Sequence, residues 1–154
     1  MESKYITEII NSHIEDIKKM KGGGKRYWSI EEVKYETEEL SKEAVKENGF
    51  AVQFVKKQTE EICKEAVKKN GFALYYVKEQ TEEICELAVE NDGQALYYVK
   101  KQTDAISLAA VKQNGLALEW VERQTAEICK RAIEQNKNAE KYVRGQTNGK
   151  DAYY

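Results

Sequence analysis

The chain contains no proline in its 154 residues. Proline costs about 3 kcal/mol inside a helix, so its absence leaves helix free to run almost anywhere. The abundance of Lys, Glu, Ala and Val points the same way. Histidine occurs once, as His13, so any catalytic triad, proton shuttle or zinc cluster that needs imidazole would have to be built round that ring. Glu15 and Asp16 stand beside it, but such neighbours are commonplace on a charged helix and two further ligands have no candidate. His13 reads as a surface or capping residue. Cysteine is scarce too: the chain has three, an odd number, and no secretory leader is visible. That combination favours reduced thiols in a cytoplasm over a disulfide framework. No stretch approaches the roughly 18 unbroken apolar residues of a membrane span, so no membrane contact is expected.

An excess of charge of one sign is also missing. Lys and Arg number 25 against 27 Asp and Glu, which leaves no long-range field to draw in nucleic acid or an anionic bilayer. Nucleic acid is therefore disfavoured as a partner. The carboxylates are spread over helix positions and alternate with lysine, the pattern of a solvated salt-bridge face and not of an acid/base pair.

What the sequence does have is a repeat. Thr37, Thr59, Thr81, Thr103, Thr125 and Thr147 follow one another at 22-residue intervals, and the first five open copies of one pattern without an insertion. Such periodicity marks a solenoid. In the second copy Thr59-Glu60-Glu61 has the form of an N-cap followed by first-turn acids that meet the positive end of a helix dipole. Ile62, Cys63, Ala66 and Val67 then share one stripe of a first helix. Asn70-Gly71 ends it, with glycine expected in the left-handed conformation. A second helix carries Ala73, Leu74 and Val77 inward and closes on a basic turn, Lys78 here and Lys56, Lys100 and Arg144 elsewhere. Helices this short are marginal alone, so each hairpin depends on its neighbours. The predicted fold is all-α: a solenoid of five 22-residue helix-turn-helix repeats over 37–146, with an N-terminal capping helix.

The flanks complete this single-domain reading of 1–154. In 1–21, Tyr5, Ile6, Ile9, Ile10, Ile14, Ile17 and Met20 form an amphipathic stripe suited to cover the first repeat. Residues 22–36 combine Gly22-Gly23-Gly24 with a degraded half-repeat in which Trp28, Ile30 and Val33 match Phe50, Val52 and Val55. The last copy has Lys137 for the turn glycine and Glu140 for the recurrent leucine, the polar drift of a terminal repeat. The solenoid thus reads as complete in this chain, with 147–154 as a tail whose Tyr153-Tyr154 is either a docked plug or loose.

The pattern Glu61-Ile62-Cys63, Ala66-Val67, Asn70-Gly71 and Ala73-Leu74-Tyr75-Tyr76-Val77 resembles the tandem repeat family known as domain of unknown function 4116. The resemblance covers 37–146 and implies an α-helical array; no chemistry comes with it. The fourth copy departs most, with Asp104, Ser107 and Leu108 in its first helix.

Cys63, Cys85 and Cys129 occupy one repeat position, filled by Ser41 and Ser107 in the other copies. Equivalent positions in stacked helices lie about 8–10 Å apart, too far for one metal ion, so a small core slot is expected. No cofactor is expected either. Lys18, Lys19, Lys21, Lys25 and Arg26 bracket the three glycines, but Lys19 stands where a phosphate-binding loop needs its first glycine. A flexible basic linker is the reading, with contact to RNA or an acidic partner as a distant alternative.

Position eighteen carries Phe54, Tyr76, Tyr98, Trp120 and Tyr142, an aromatic ladder expected to pack between repeats. In the second helix positions fourteen, seventeen and twenty-one fall on the side opposite its core stripe. That side would align Phe50, Phe72, Tyr75, Tyr97 and Leu116 into an apolar strip with Lys101 and Arg123 among its charged rim. An apolar centre with a charged rim is the composition of a protein interface. The function expected is therefore a non-catalytic cytoplasmic scaffold that binds an unknown protein, as a monomer or alternatively a homodimer. The runner-up is a structural or self-assembling module whose aromatic faces meet copies of themselves.

Overall fold

The computed structural model describes residues 37–145. Within them one unit recurs five times: an α-helix of ten residues, then a 3-10 helix of six. The α-helices are α1 (Glu38–Glu47), α2 (Glu60–Lys69), α3 (Glu82–Asn91), α4 (Asp104–Gln113) and α5 (Ala126–Gln135). The 3-10 helices are η1 (Gly49–Phe54), η2 (Gly71–Tyr76), η3 (Gly93–Tyr98), η4 (Gly115–Trp120) and η5 (Lys137–Tyr142). Among the described residues there is no strand, and the protein is an all-α tandem repeat. The expected capping helix with His13, the basic glycine linker and half-repeat, Gln146 and the tail lie outside the described residues.

Each α-helix begins as its sequence dictates. The threonine is extended, and its Oγ1 accepts the N–H three residues on, at 3.4 Å for Ile62, 3.3 Å for Ile84 and 3.2 Å for Ile106. It ends at an Asn or Asp whose N–H bonds back to an alanine carbonyl, Asn70 to Ala66 at 2.9 Å. The same residue opens the 3-10 helix: Asn70 Oδ1 accepts from the Phe72 N–H at 3.0 Å. This Asn has an extended backbone, with φ −153° and ψ 114°.

The second element departs from expectation in being 3-10 and short. The cause lies in the preceding repeat. To continue as α-helix, the Leu74 carbonyl would have to accept from the Lys78 N–H. That N–H instead donates to Gln58 Oε1 at 3.0 Å. Gln58 Nε2 in turn donates to the Tyr76 carbonyl at 3.0 Å and to the Val52 carbonyl of its own repeat at 3.0 Å. The Leu74 carbonyl is left to Val77 N–H at 3.1 Å and Gln80 Nε2 at 3.2 Å. Gln80 and Gln124 make the same set of bonds to Tyr98 and Lys100 and to Tyr142 and Arg144. Gln102 does so to Trp120 and Glu122. The basic residues of position twenty consequently stand beyond the 3-10 helix and do not cap its dipole. Lys78 Nζ reaches the Lys56 carbonyl at 3.4 Å and Lys100 Nζ the Lys78 carbonyl at 3.1 Å, one repeat back.

The α-helices stack on one another in one layer and the 3-10 helices in a second, each 3-10 helix wedged between its own α-helix and the next. The core between the layers repeats Ile62, Cys63, Ala66, Val67, Ala73, Leu74 and Val77, each no more than 3% exposed, and their equivalents in the third and fourth copies are buried likewise; the outer copies are more open, at Ala51, Ile133, Glu140 and Val143. Each fully buried Leu, Ile or Val contributes about 1.5–3 kcal/mol, a gain realised only when the neighbouring repeat is present.

Glycine at position thirteen also departs from expectation. None of these glycines is left-handed; what requires glycine is the neighbour. A Cβ on Gly49, Gly71, Gly93 or Gly115 would lie 2.5, 2.5, 2.4 or 2.2 Å from the carbonyl oxygen of Ala66, Ala88, Ala110 or Ala132 in the following repeat. The fifth copy carries Lys137 here, exposed to solvent. A side chain here would meet the corresponding carbonyl of a copy stacked in the same way.

Candidate functional site

The 3-10 geometry decides which side chains share the outer edge of the second layer. With three residues per turn, positions fourteen and seventeen eclipse each other, while fifteen and sixteen turn inward as Ala73 and Leu74, both fully buried. Position twenty-one falls after the helix has ended, so the α-helical spacing that grouped it with fourteen and seventeen does not apply.

Tyr75 and Tyr97 are the exposed large hydrophobics of the described chain, 63% and 59% open to solvent. Each lies edge-on to the ring beside it in sequence, Tyr75 to Tyr76 at 4.8 Å between centroids and Tyr97 to Tyr98 at 5.0 Å. Each also reaches the next rung, Tyr75 to Tyr98 at 5.3 Å and Tyr97 to Trp120 at 4.7 Å. The result is a continuous line of rings, Tyr76, Tyr75, Tyr98, Tyr97 and Trp120. Phe50 and Phe72 are half-buried at its side, edge-on to Tyr76 at 6.2 Å and Tyr98 at 6.0 Å in the following repeat. Edge-to-face pairs each add about 0.5–1.5 kcal/mol, so the strip is held in shape by its own rings.

In the third copy Gln94 takes the place of phenylalanine, and the ring it faces is Trp120, whose Nε1 donates to Gln94 Oε1 at 2.7 Å. The pairing of position fourteen with the next copy's position eighteen was legible by comparing copies, since the change from Phe to Gln coincides with that from Tyr to Trp. In the fifth copy Lys141 replaces the tyrosine and its Nζ sits 4.7 Å from the Tyr142 ring centroid.

Of the seven residues anticipated for this face, Tyr75 and Tyr97 are exposed and in line, Phe50 and Phe72 are half-buried packing partners, and Leu116 is half-buried. Lys101 and Arg123 are exposed beyond the ends of η3 and η4. Arg123 is drawn to the Asp104 carboxylate at 3.4 Å, at the start of α4. The sequence reading missed Tyr76, Tyr98 and Trp120, which it assigned mainly to packing; the structure leaves them partly exposed, Tyr98 between the two tyrosines and Tyr76 and Trp120 at the ends of the line.

The thiols belong to the core. Cys63, Cys85 and Cys129 are each 3% exposed, and their Sγ atoms approach Gln58, Gln80 and Gln124 Oε1 at 3.9, 3.8 and 3.8 Å. Burial, with Glu60 and Glu82 adding to it, pushes the Cys63 and Cys85 thiols up to about 11. Among the described residues no group of three His, Cys, Asp or Glu is placed to hold a metal ion, and no helix is long and apolar enough to cross a membrane.

A family described as Domain of unknown function (DUF4116) matches residues 37–81 and again 59–103. Each window takes in two consecutive copies, and the second is the first advanced by one repeat; the chain carries tandem repeats resembling that family. No curated protein and no solved structure matches the chain.

Proposed function

We propose that this protein is a non-catalytic scaffold that binds another protein through the aromatic strip of its 3-10 layer, as a monomer in the cytoplasm. The observation that carries this reading is the exposure of Tyr75 and Tyr97, 63% and 59%, at the centre of a pre-ordered line of rings. Tyrosine and tryptophan supply large contact area with little side-chain entropy to lose, and they dominate the energetically central positions of interfaces. A rigid strip presented by a stacked array is the way repeat proteins offer binding surface. Three free, buried cysteines support a reducing compartment. The exposed Lys137 of the fifth copy, where the other copies have glycine, argues against stacking of a second chain on that repeat.

The test is capture from the source cell by the wild-type protein and by a Tyr75→Ser/Tyr97→Ser variant, with bound proteins identified by mass spectrometry. A partner retained by the first and lost by the second, with circular dichroism unchanged, is the expected result. A concentration-dependent dimer in light scattering that the double substitution dissolves would instead assign the strip to self-association.

A further inference from the structure

The outer face of the α layer breaks its own pattern at one place. In the first two copies the outward positions six, seven and ten are Lys42, Glu43, Lys46 and Lys64, Glu65, Lys68, and all six are ion-paired. Lys42 also crosses to Glu61 at 2.8 Å and Lys64 to Glu83 at 2.7 Å in the following repeat. The fifth copy is paired likewise, with Lys130 and Arg131 on Glu134. The third and fourth copies carry Glu86, Leu87, Glu90 and Leu108, Ala109, Lys112 at these positions. Leu87, Leu108 and Ala109 rest on the core from outside, half-buried. Leu108 and Ala109 join Glu90, Ala105, Lys112 and Gln113 in lining a surface groove of about 490 Å³.

The charge beside this apolar floor is divided by helix, with Lys112 on the α4 side and carboxylates alone on the α3 side. Helix α3 presents Glu82, Glu83, Glu86 and Glu90 and has no basic residue of its own. Glu83 is taken by Lys64 and Glu82 accepts from Thr103 Oγ1 at 3.0 Å. Glu86 and Glu90 have no ion pair among the described residues. Two unpaired carboxylates of α3, Glu90 in the groove's lining and Glu86 one turn before it, complement a segment with an apolar stripe and cations along its α3-facing flank. An anionic lipid surface would be repelled by the same carboxylates.

We propose that the α3–α4 groove docks a basic amphipathic helix of another protein, with its apolar stripe on Leu87, Leu108 and Ala109 and its Lys or Arg residues facing Glu86 and Glu90. This surface is separate from the aromatic strip, on the other layer of the array.

The test is selection of helical peptides from a randomised display library on the full chain, followed by anisotropy titration of the winners. Selected peptides should carry an apolar stripe with a basic flank. Their affinity should fall at least about tenfold, roughly 1.4 kcal/mol, in a Leu87→Glu/Glu90→Lys/Leu108→Lys variant. That variant restores the residue types that the second copy has at these positions, Glu65, Lys68 and Lys64, so its melting temperature should hold. The Tyr75→Ser/Tyr97→Ser variant should bind the same peptides unchanged, which separates this surface from the aromatic strip. Acidic or neutral winners, no winners, or equal binding by the triple variant would overturn the proposal. So would a wild-type dimer in sedimentation that the triple variant converts to monomer, since the groove would then belong to a second copy.

Discussion

Gly71 and Ala88 touch across a repeat boundary so closely that a Cβ on the glycine would lie 2.5 Å from the alanine carbonyl oxygen. The neighbour is backbone and cannot rotate away. Gly71→Ala should therefore force the two repeats apart and cost about 1–3 kcal/mol, the range for overpacking, measured by urea denaturation. Lys137→Gly, at the equivalent exposed position, should change stability by less than about 1 kcal/mol, the helix-interior cost of glycine. Equal effects at the two sites would refute the close approach as the reason for glycine.

Gln80 joins two repeats through bonds to the Leu74 and Tyr98 carbonyls and the Lys100 N–H, at 3.2, 3.0 and 3.0 Å. Replacing it with alanine leaves partly buried backbone groups unpaired, at about 1–3 kcal/mol for each group that water cannot reach. Amide exchange should accelerate most at Lys100 and Val99. An exchange pattern unchanged there would show that the carboxamide does not hold the backbone.

The first helix of each repeat was legible because its determinants are local: Thr59, the acids after it and the Ile62–Val67 stripe all lie within one element. The 3-10 helix was not, because the group that diverts the Lys78 N–H is Gln58, in the preceding copy. The role of Gly71 was hidden for the same reason, since what excludes a side chain is Ala88 in the following repeat. The prominence of Tyr75 and Tyr97 was readable from helix faces, whereas the groove floored by Leu108 and Ala109 emerges only when the copies are compared position by position.

The thiols give a pH signature. Cys63 and Cys85 titrate at about 11 in the folded chain because burial disfavours the thiolate, against 9.0 as the ordinary value. Between those values the unfolded chain has lost the proton and the folded chain keeps it, so stability is full below pH 9.0 and falls as pH rises towards about 11. Melting curves of a Cys63→Ser/Cys85→Ser variant should lose part of this alkaline slope, and Ser41 and Ser107 show that the slot accepts serine. Identical slopes would mean that the thiols ionise without unfolding. In the native protein both should react slowly with a thiol reagent.

On the acid side the sign reverses. The Lys42 ammonium, bonded to Glu61 at 2.8 Å, holds that carboxyl below its ordinary value. Its contribution is present above the unfolded value and is lost as pH falls through the folded one. Lys42→Met should flatten the acid limb of the stability curve at low salt and do little at high salt, where exposed pairs are screened. A salt-independent difference would point to lost packing of the lysine stem.

The bonds of Gln58, Gln80, Gln102 and Gln124 across the repeat boundaries all run forward, each acting on the repeat that follows. Gln113 and Gln135 run the other way and accept from the Gly93 and Gly115 N–H groups of the repeat before, at 2.7 and 2.6 Å. Each of η3 and η4 is therefore clasped at its start from the repeat ahead and at its end from the repeat behind. A repeat with one neighbour keeps only half of that clasp, so loosening of the array begins at its edges.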